Sequence, residues 1–290
     1  MTTLVAIAGL AFLILVHEAG HFVTALAVGM RPRKFYLGFP PPLLRTTRGG
    51  VEYGIGLIPL GGYVKIPGMF RPAVGDLGRW FGRAQDEDAT LHRPLERLAG
   101  ALERSDFDAA RADLDALDAA LAEAPDLSEA ARRQTERGVV ELRDALAPDA
   151  YWRQRSWRRI VVIFAGPGTN LLLAIVLGLV IAFGPVTADG IWPGLAFLAL
   201  LQVTAVCFNL IPLPPFDGYG AIRPHLAPDL REKMDAFGQV SLLLVLAVFW
   251  FIPTVSNVFW GLVTFIVGSM GIPSELVGLG YQLFRFWAPG

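Results

Sequence analysis

Residues 4–28 read LVAIAGLAFLILVHEAGHFVTALAV, and the five residues His17-Glu18-Ala19-Gly20-His21 inside that run decide how the rest must be arranged. A helix of this length is long enough to cross a bilayer. An ionisable side chain within such a span costs about 2.5 to 3.5 kcal/mol on insertion scales, so two His and a Glu need a physical reason to be there. Positions i and i+4 share one helix face, which lets His17 and His21 offer two imidazoles to one zinc ion. Glu18 then stands beside the metal, where a carboxylate takes a proton from an activated water and passes it to a leaving amine. This is the logic of the HExxH pattern.

A catalytic zinc takes three protein ligands and keeps a position open. The single cysteine, Cys207, excludes disulfides and a thiolate cluster, so the third ligand must be an acid or another His. Seventeen of the 26 acidic residues lie within residues 85–150; the others are Glu18, Glu52, Asp76, Asp189, Asp217, Asp229, Glu232, Asp235 and Glu275. Of these only Asp217 ends an apolar run on the same side as the His pair. It closes Asn209-Leu210-Ile211-Pro212-Leu213-Pro214-Pro215-Phe216-Asp217, where the prolines cannot sustain regular helix and the chain opens for a carboxylate to reach the metal. His92 and His225 read as surface histidines.

Hydrophobic residues make up 53% of the 290, and a mean hydropathy of +0.48 is too apolar for an ordinary soluble fold. A formal net charge of -1, with no interleaved basic and aromatic stripe, argues against nucleic acid as a partner. The fold expected is an α-helical integral membrane protein with at least four transmembrane helices: residues 4–28, 160–183, 191–213 and 240–252, the last with some extension. A short apolar stretch at 258–270 crosses, re-enters or lies in the interface. No basic residue leads the first run, which therefore reads as a retained span rather than a cleaved signal. Arg31, Arg33, Lys34, Arg45, Arg48, Arg153, Arg155, Arg158 and Arg159 all fall between the first two spans, whereas residues 184–190 hold no Lys or Arg. The positive-inside rule then gives a multi-pass protein of the cell membrane with its N-terminus outside and its site near the cytoplasmic face.

Five segments follow. Residues 1–30 form the first span and 31–70 a membrane-associated β-hairpin region. Within the latter, VEYGIGLIPLGGYVKI at 51–66 suggests short strands with tight turns around Pro59 and Gly61-Gly62. Residues 71–150 form an acidic cytoplasmic helical insert. Its helical spacings at Leu95, Leu98, Leu102, at Leu114, Leu117, Leu121 and at Val139, Leu142, Leu146 predict a bundle of two or three helices. Asp106, and Pro125-Asp126 before Ser128, mark helix boundaries. Residues 151–235 hold the second and third spans with the Asp217 loop, and 236–290 the C-terminal transmembrane or interfacial helices.

HEAGH at 17–21, AGPGTN at 165–170 and NLIPLPPFDG at 209–218 together resemble the site-2 protease family of intramembrane zinc metalloproteases. GYVKIPGM at 62–69 is similar to the membrane-associated hairpin of its bacterial members. The resemblance implies that His17, His21 and Asp217 ligate Zn2+, that Glu18 is the general base, and that Asn209 helps hold the substrate backbone. Asn170 would support the site or bond a neighbouring helix. It also implies a substrate that is a transmembrane protein or peptide cut in or beside the lipid bilayer, in regulated intramembrane proteolysis. A helix must be unwound before it is cut, and an edge strand near Tyr53, Gly54, Ile55 and Gly56 would receive the unwound segment. The competing readings are a metal transporter and an inactive metal-binding scaffold. The chain departs from the family pattern in two respects. Residues 184–190 leave no room for a PDZ domain, so the acidic insert, read first as a solvated helical appendage, is the remaining candidate for substrate recognition or for a regulatory partner. In PFDGYG, Phe216 and Tyr219 stand where Leu and Gly are commoner.

Overall fold

The structure, a computed structural model, describes residues 2–124 and 126–284. Met1 of the first expected segment, residues 285–290 of the last, and Pro125 of an expected helix boundary lie outside the described residues. In chain order the elements are α1 (Thr2–Ala27), β1 (Lys34–Arg48), β2 (Val51–Lys65), α2 (Val74–Glu87), α3 (His92–Glu103), α4 (Phe107–Glu123), α5 (Glu129–Leu146), α6 (Ser156–Phe183), α7 (Trp192–Asn209), α8 (Asp217–Ile222), α9 (Pro228–Phe251), α10 (Pro253–Ser269) and α11 (Ser274–Phe284). They fall into two compact units, one drawing on residues up to 24, 35–64 and from 160 onward, the other on 25–34 and 65–159.

In the first unit, segments of three helices are long and apolar enough to cross a membrane: Ala8–Ala27, Ser156–Phe183 and Trp192–Asn209. A fourth is reached if Val240–Phe251 and Pro253–Ser269, bent by 95° to each other, count as one broken span. The structure therefore offers three or four such elements, where at least four were expected, and the runs at 240–252 and 258–270 belong to one bent pair. The bend sits at Ile252, because Pro253 cannot donate a hydrogen bond back into α9 but is well suited to the first position of α10. The third expected span stops at Asn209 instead of Leu213, ahead of the prolines at 212, 214 and 215. Small and branched side chains of α6 (Ala174, Leu177, Ile181), α7 (Ala196, Ala199, Val203) and α10 (Val263, Val267) build one core with Ile272 and Leu276. Large apolar side chains also point outward, Phe183 with 87% and Trp250 with 82% of its surface exposed.

The β region differs from the expected short strands. β1 and β2 form a two-stranded sheet, and β2 runs unbroken through Pro59, Gly61 and Gly62. The turn lies at Gly49-Gly50, whose φ angles of 59° and 79° are the pair of left-handed conformations a two-residue hairpin needs. Tyr63 of β2 stacks on Tyr36 of β1 at 5.2 Å, and the Tyr36 hydroxyl donates to Glu52 at 2.7 Å.

The second unit contains the acidic insert, built from four helices rather than two or three. All nine residues expected on its apolar faces are buried in one core. The additional helix, α2, carries Gly75, Gly78 and Gly82, poor helix formers that mask an otherwise regular apolar stripe of Leu77, Phe81 and Ala84. Asp106 caps α4 through the Ala109 amide (3.1 Å), and Ser128 caps α5 through that of Ala131 (3.2 Å). Phe81→Ala is expected to cost the insert about 3–5 kcal/mol by leaving a cavity. Gly78→Ala, at an exposed position with no neighbouring atom within 4 Å, should instead stabilise it by about 0.5–1 kcal/mol. Denaturant unfolding of the purified chain measures both, and a neutral Phe81→Ala would show that α2 is not part of the cooperative bundle.

Candidate metal centre

α1 brings His17 and His21 onto one face, their ring centroids 4.8 Å apart. α8 opens with Asp217, and its Oδ2 lies 3.1 Å from His17 Nε2 and 3.3 Å from His21 Nε2, while the two Nε2 atoms are 3.2 Å apart. The His pair and Asp217 thus meet as the sequence reading requires, and they are the one group of three such side chains among the described residues able to share a metal ion.

The hydrogen bonds around the rings fix what the triangle offers. His21 Nδ1–H donates to the Val162 carbonyl on α6 at 2.7 Å, which leaves the Nε2 of a neutral ring with its lone pair toward Asp217. His17 Nδ1 faces the fully buried Asn170 carboxamide, 3.4 Å from Nδ2. Turning that amide by 180° puts its oxygen, otherwise buried without a partner, against Nδ1–H and frees His17 Nε2 in the same way. Three acceptor atoms then point at one another across 3.1–3.3 Å, and among the described residues no hydrogen-bond donor reaches Asp217 Oδ2. Bonds of ~2.0–2.1 Å at tetrahedral angles put ligand atoms ~3.3 Å apart, so the donor set and its spacing fit zinc.

α6 comes this close because of residue 166. A Cβ there would overlap His21 Nε2 and lie 2.7 Å from His17 Cε1. One residue on, Pro167 cannot donate to the Ile163 carbonyl, which opens the helix ladder beside the carbonyl that receives His21. Thr169 links α6 to α1, its hydroxyl shared between the Gly166 carbonyl at 2.8 Å and the Val16 carbonyl at 3.1 Å. Glu18 is buried under β2, where a Cβ on Gly62 would meet Glu18 Cγ at 2.7 Å. Gly62, Gly166, Val162 and Thr169 were given no individual role from the sequence. The AGPGTN motif was the signal for two of them, Gly166 and Thr169.

Asn170 joins the site through His17. Asn209 closes α7 and turns its amide back onto the Ala205 carbonyl at 3.0 Å. Tyr53 stands in an aromatic group with Phe22 and Phe35. Gly54 and Gly56 abut Tyr36 and Phe39 of β1, and Ile55 is exposed. His92 and His225 are both exposed.

Next to the triangle, Tyr219 donates to Asp235 on α9 at 2.6 Å. Arg223 reaches the same carboxylate through Nε at 3.0 Å and through a second nitrogen. Burial, reinforced by the bond to Asp235, pushes the Tyr219 phenol up to about 12. Burial acts on Asp235 in the upward direction as well, but Arg223 and Tyr219 outweigh it and hold this carboxyl below the usual range.

An apolar helical framework around a His–His–Asp triangle is what a membrane-type zinc hydrolase requires, and comparison with known proteins agrees with that class. The chain belongs to peptidase family M50, whose family model matches residues 5–188, including both histidines and Asn170. It is similar to the "Putative zinc metalloprotease Rip2" of Mycolicibacterium smegmatis, 40% identical over 144 residues that make up 48% of this chain and 55% of that one. Its counterpart in Mycobacterium tuberculosis is 38% identical over 139 residues, 47% and 53% of the two chains. A "Putative zinc metalloprotease" of Chlamydia trachomatis is 32% identical over 166 residues, 57% of this chain and 17% of the relative. The chain thus spans about half the length of the Rip2 relatives it matches.

Two glycines of one motif give a matched test of the triangle. Gly166→Ala should push the rings apart and abolish Co2+ or Zn2+ uptake. Gly168→Ala, with no atom within 4 Å of the added methyl, should leave uptake unchanged. Metal content after dialysis measures both, and equal uptake by the two variants would show that the ring positions are not set by α6.

Proposed function

We propose that this chain is a zinc metalloendopeptidase of the cell membrane that hydrolyses peptide bonds of membrane-spanning protein segments. The observation that carries the reading is the triangle of His17 Nε2, His21 Nε2 and Asp217 Oδ2, with sides of 3.1, 3.3 and 3.2 Å, on an apolar helix that also presents Glu18. His17, His21 and Asp217 would hold the ion. When bound, zinc supplies Lewis acidity, which polarises a peptide carbonyl and makes water a nucleophile near neutral pH. The Glu18 carboxylate takes the proton from that water and delivers it to the leaving nitrogen. The Asn170 and Val162 oxygens orient the two rings, and Gly62 of β2 covers the base.

The proposed setting is a bilayer crossed by α1, α6, α7 and the bent pair α9 and α10. Phe183 and Trp250, exposed as they are, suit lipid better than water. The basic residues at 31–48 and 153–159 favour a cytoplasmic position for the site, with the N-terminus outside. A two-stranded sheet leaves one edge of each strand without a partner among the described residues. An unwound substrate would pair with the free edge along Tyr53–Gly56, exchanging helical hydrogen bonds for cross-strand ones. Asn209 would take a substrate amide on its Oδ1 and offer a substrate carbonyl its second N–H, the first being engaged with Ala205. The acidic bundle α2–α5 would dock a regulatory partner.

Glu18→Gln should retain zinc and lose about two orders of magnitude or more in hydrolysis. The measurement is proteomics of membrane-protein fragments in strains carrying the wild-type gene, Glu18→Gln or a deletion, with zinc content assayed on the purified proteins. A Glu18→Gln strain whose fragments match wild type while the deletion differs would sink the assignment. Proline placed singly along 53–57 should slow cleavage without changing zinc content. Unaltered fragment yields across that whole series would remove the edge-pairing step.

A further inference from the structure

Asp217 is held by very little of its own surroundings. α8 is six residues long, too short to be stable by itself, and it follows a stretch in which prolines at 212, 214 and 215 supply no backbone donors. A carboxylate at the start of such a segment takes its direction from whatever the segment is tied to, and here both flanks are tied to α9. Ahead of Asp217, the buried Ser241 hydroxyl donates to the Pro214 carbonyl, and Gly238 leaves room for the Pro214 ring. Phe216 packs on Phe208, which in turn meets Phe249 of α9. Beyond Asp217, Tyr219 and Arg223 both donate to Asp235. Asp235, Gly238 and Ser241 recur every three residues and so share one stripe of α9. Phe216 and Tyr219, on either side of Asp217, are thus both engaged toward α9, the first through Phe208 and the second directly.

We infer that one stripe of α9 fixes the third ligand: Asp235, acting through Tyr219 and Arg223, and Ser241, acting through Pro214, are positioning residues that hold the Asp217 carboxylate against the His17–His21 pair. The inference rests on reading Asp217 as a zinc ligand. It gives the Tyr219 hydroxyl, which a Gly at this position would lack, a definite task. The outer hydrogen bonds of a metal ligand commonly contribute 10–100-fold in affinity, and here they act one step removed, through the backbone of α8.

The test measures zinc affinity, by competition with a chromophoric chelator, on the full chain purified in detergent. Tyr219→Phe keeps the ring and removes only the hydroxyl, and it should weaken zinc binding about tenfold. The Co2+-substituted form should show a changed visible absorption band, and the metal-free protein should melt at the wild-type temperature. Asp235→Asn, which keeps an acceptor for Tyr219 but loses the charge for Arg223, should weaken binding in the same direction. The double variant should lose less than the two single losses combined, as expected for residues acting in one network. A Tyr219→Phe affinity within twofold of wild type would overturn the inference, as would a loss matched by an equal fall in the melting temperature of the metal-free protein. Should Tyr219→Phe not fold, Asp235→Asn decides by the same thresholds. Wild-type zinc uptake that His17→Ala abolishes supports the ligand reading by itself, so a failure confined to the Tyr219 and Asp235 variants removes only the role of α9. A wild-type chain that takes up no zinc removes both.

Discussion

Three lone-pair atoms share one small volume inside an apolar helical framework, and the surrounding structure is organised around that mutual repulsion. His17 Nε2, His21 Nε2 and Asp217 Oδ2 lie 3.1–3.3 Å apart, a spacing at which acceptors destabilise one another unless a proton or cation lies between them. The hydrogen bond from His21 to Val162 holds the one proton of a neutral ring on the other nitrogen, so that proton does not relieve the contact. A fold that sets acceptors against each other in this way is arranged for a cation.

Bringing those atoms together requires close helix approach, and this is where small residues matter. In the proposed lipid setting water does not drive helices together, so van der Waals contact and interhelical hydrogen bonds would carry the association. The α1–α6 contact shows both. Gly166 lets the backbone of α6 lie against the two rings, and Thr169 spans to the Val16 carbonyl. The same backbone approach supplies Val162 and Asn170 as orienting partners, so one helix pairing provides packing and fixes the ring nitrogens together.

The site was legible where its chemistry is local. His17 and His21 follow from a four-residue repeat, and Asp217 from being the one acid at the end of an apolar run beside chain-breaking prolines. The partners of the rings were not legible individually, because His21 and Val162 are 141 residues apart and a backbone carbonyl has no side-chain signature. The hairpin was misread in its details for another reason. A Pro40-Pro41-Pro42 run argues against a strand, yet in a two-stranded sheet every strand is an edge and tolerates residues without an N–H. Within 51–66, Pro59 and Gly61-Gly62 looked like turns by residue type alone, when Gly62 is the position at which β2 passes over Glu18. In the insert, the leucine and valine repeats lie on α3, α4 and α5, within the two or three helices expected from them, and the glycines of α2 hid the fourth.

The two histidines and the Asp also differ in how they are held, and the difference follows from their local structure. A helix fixes His17 and His21 relative to each other through its own backbone hydrogen bonds, so their spacing survives small movements of α1. Asp217 has no such internal reference, because the prolines before it leave carbonyls and rings but few donors. Its orientation must be imported, and the side chains available for that are those of α9 that meet Pro214, Tyr219 and Arg223. A third ligand held from outside its own segment is the part of such a centre most sensitive to the neighbouring helix. Small displacements of α9 therefore act on Asp217 before they act on the His pair.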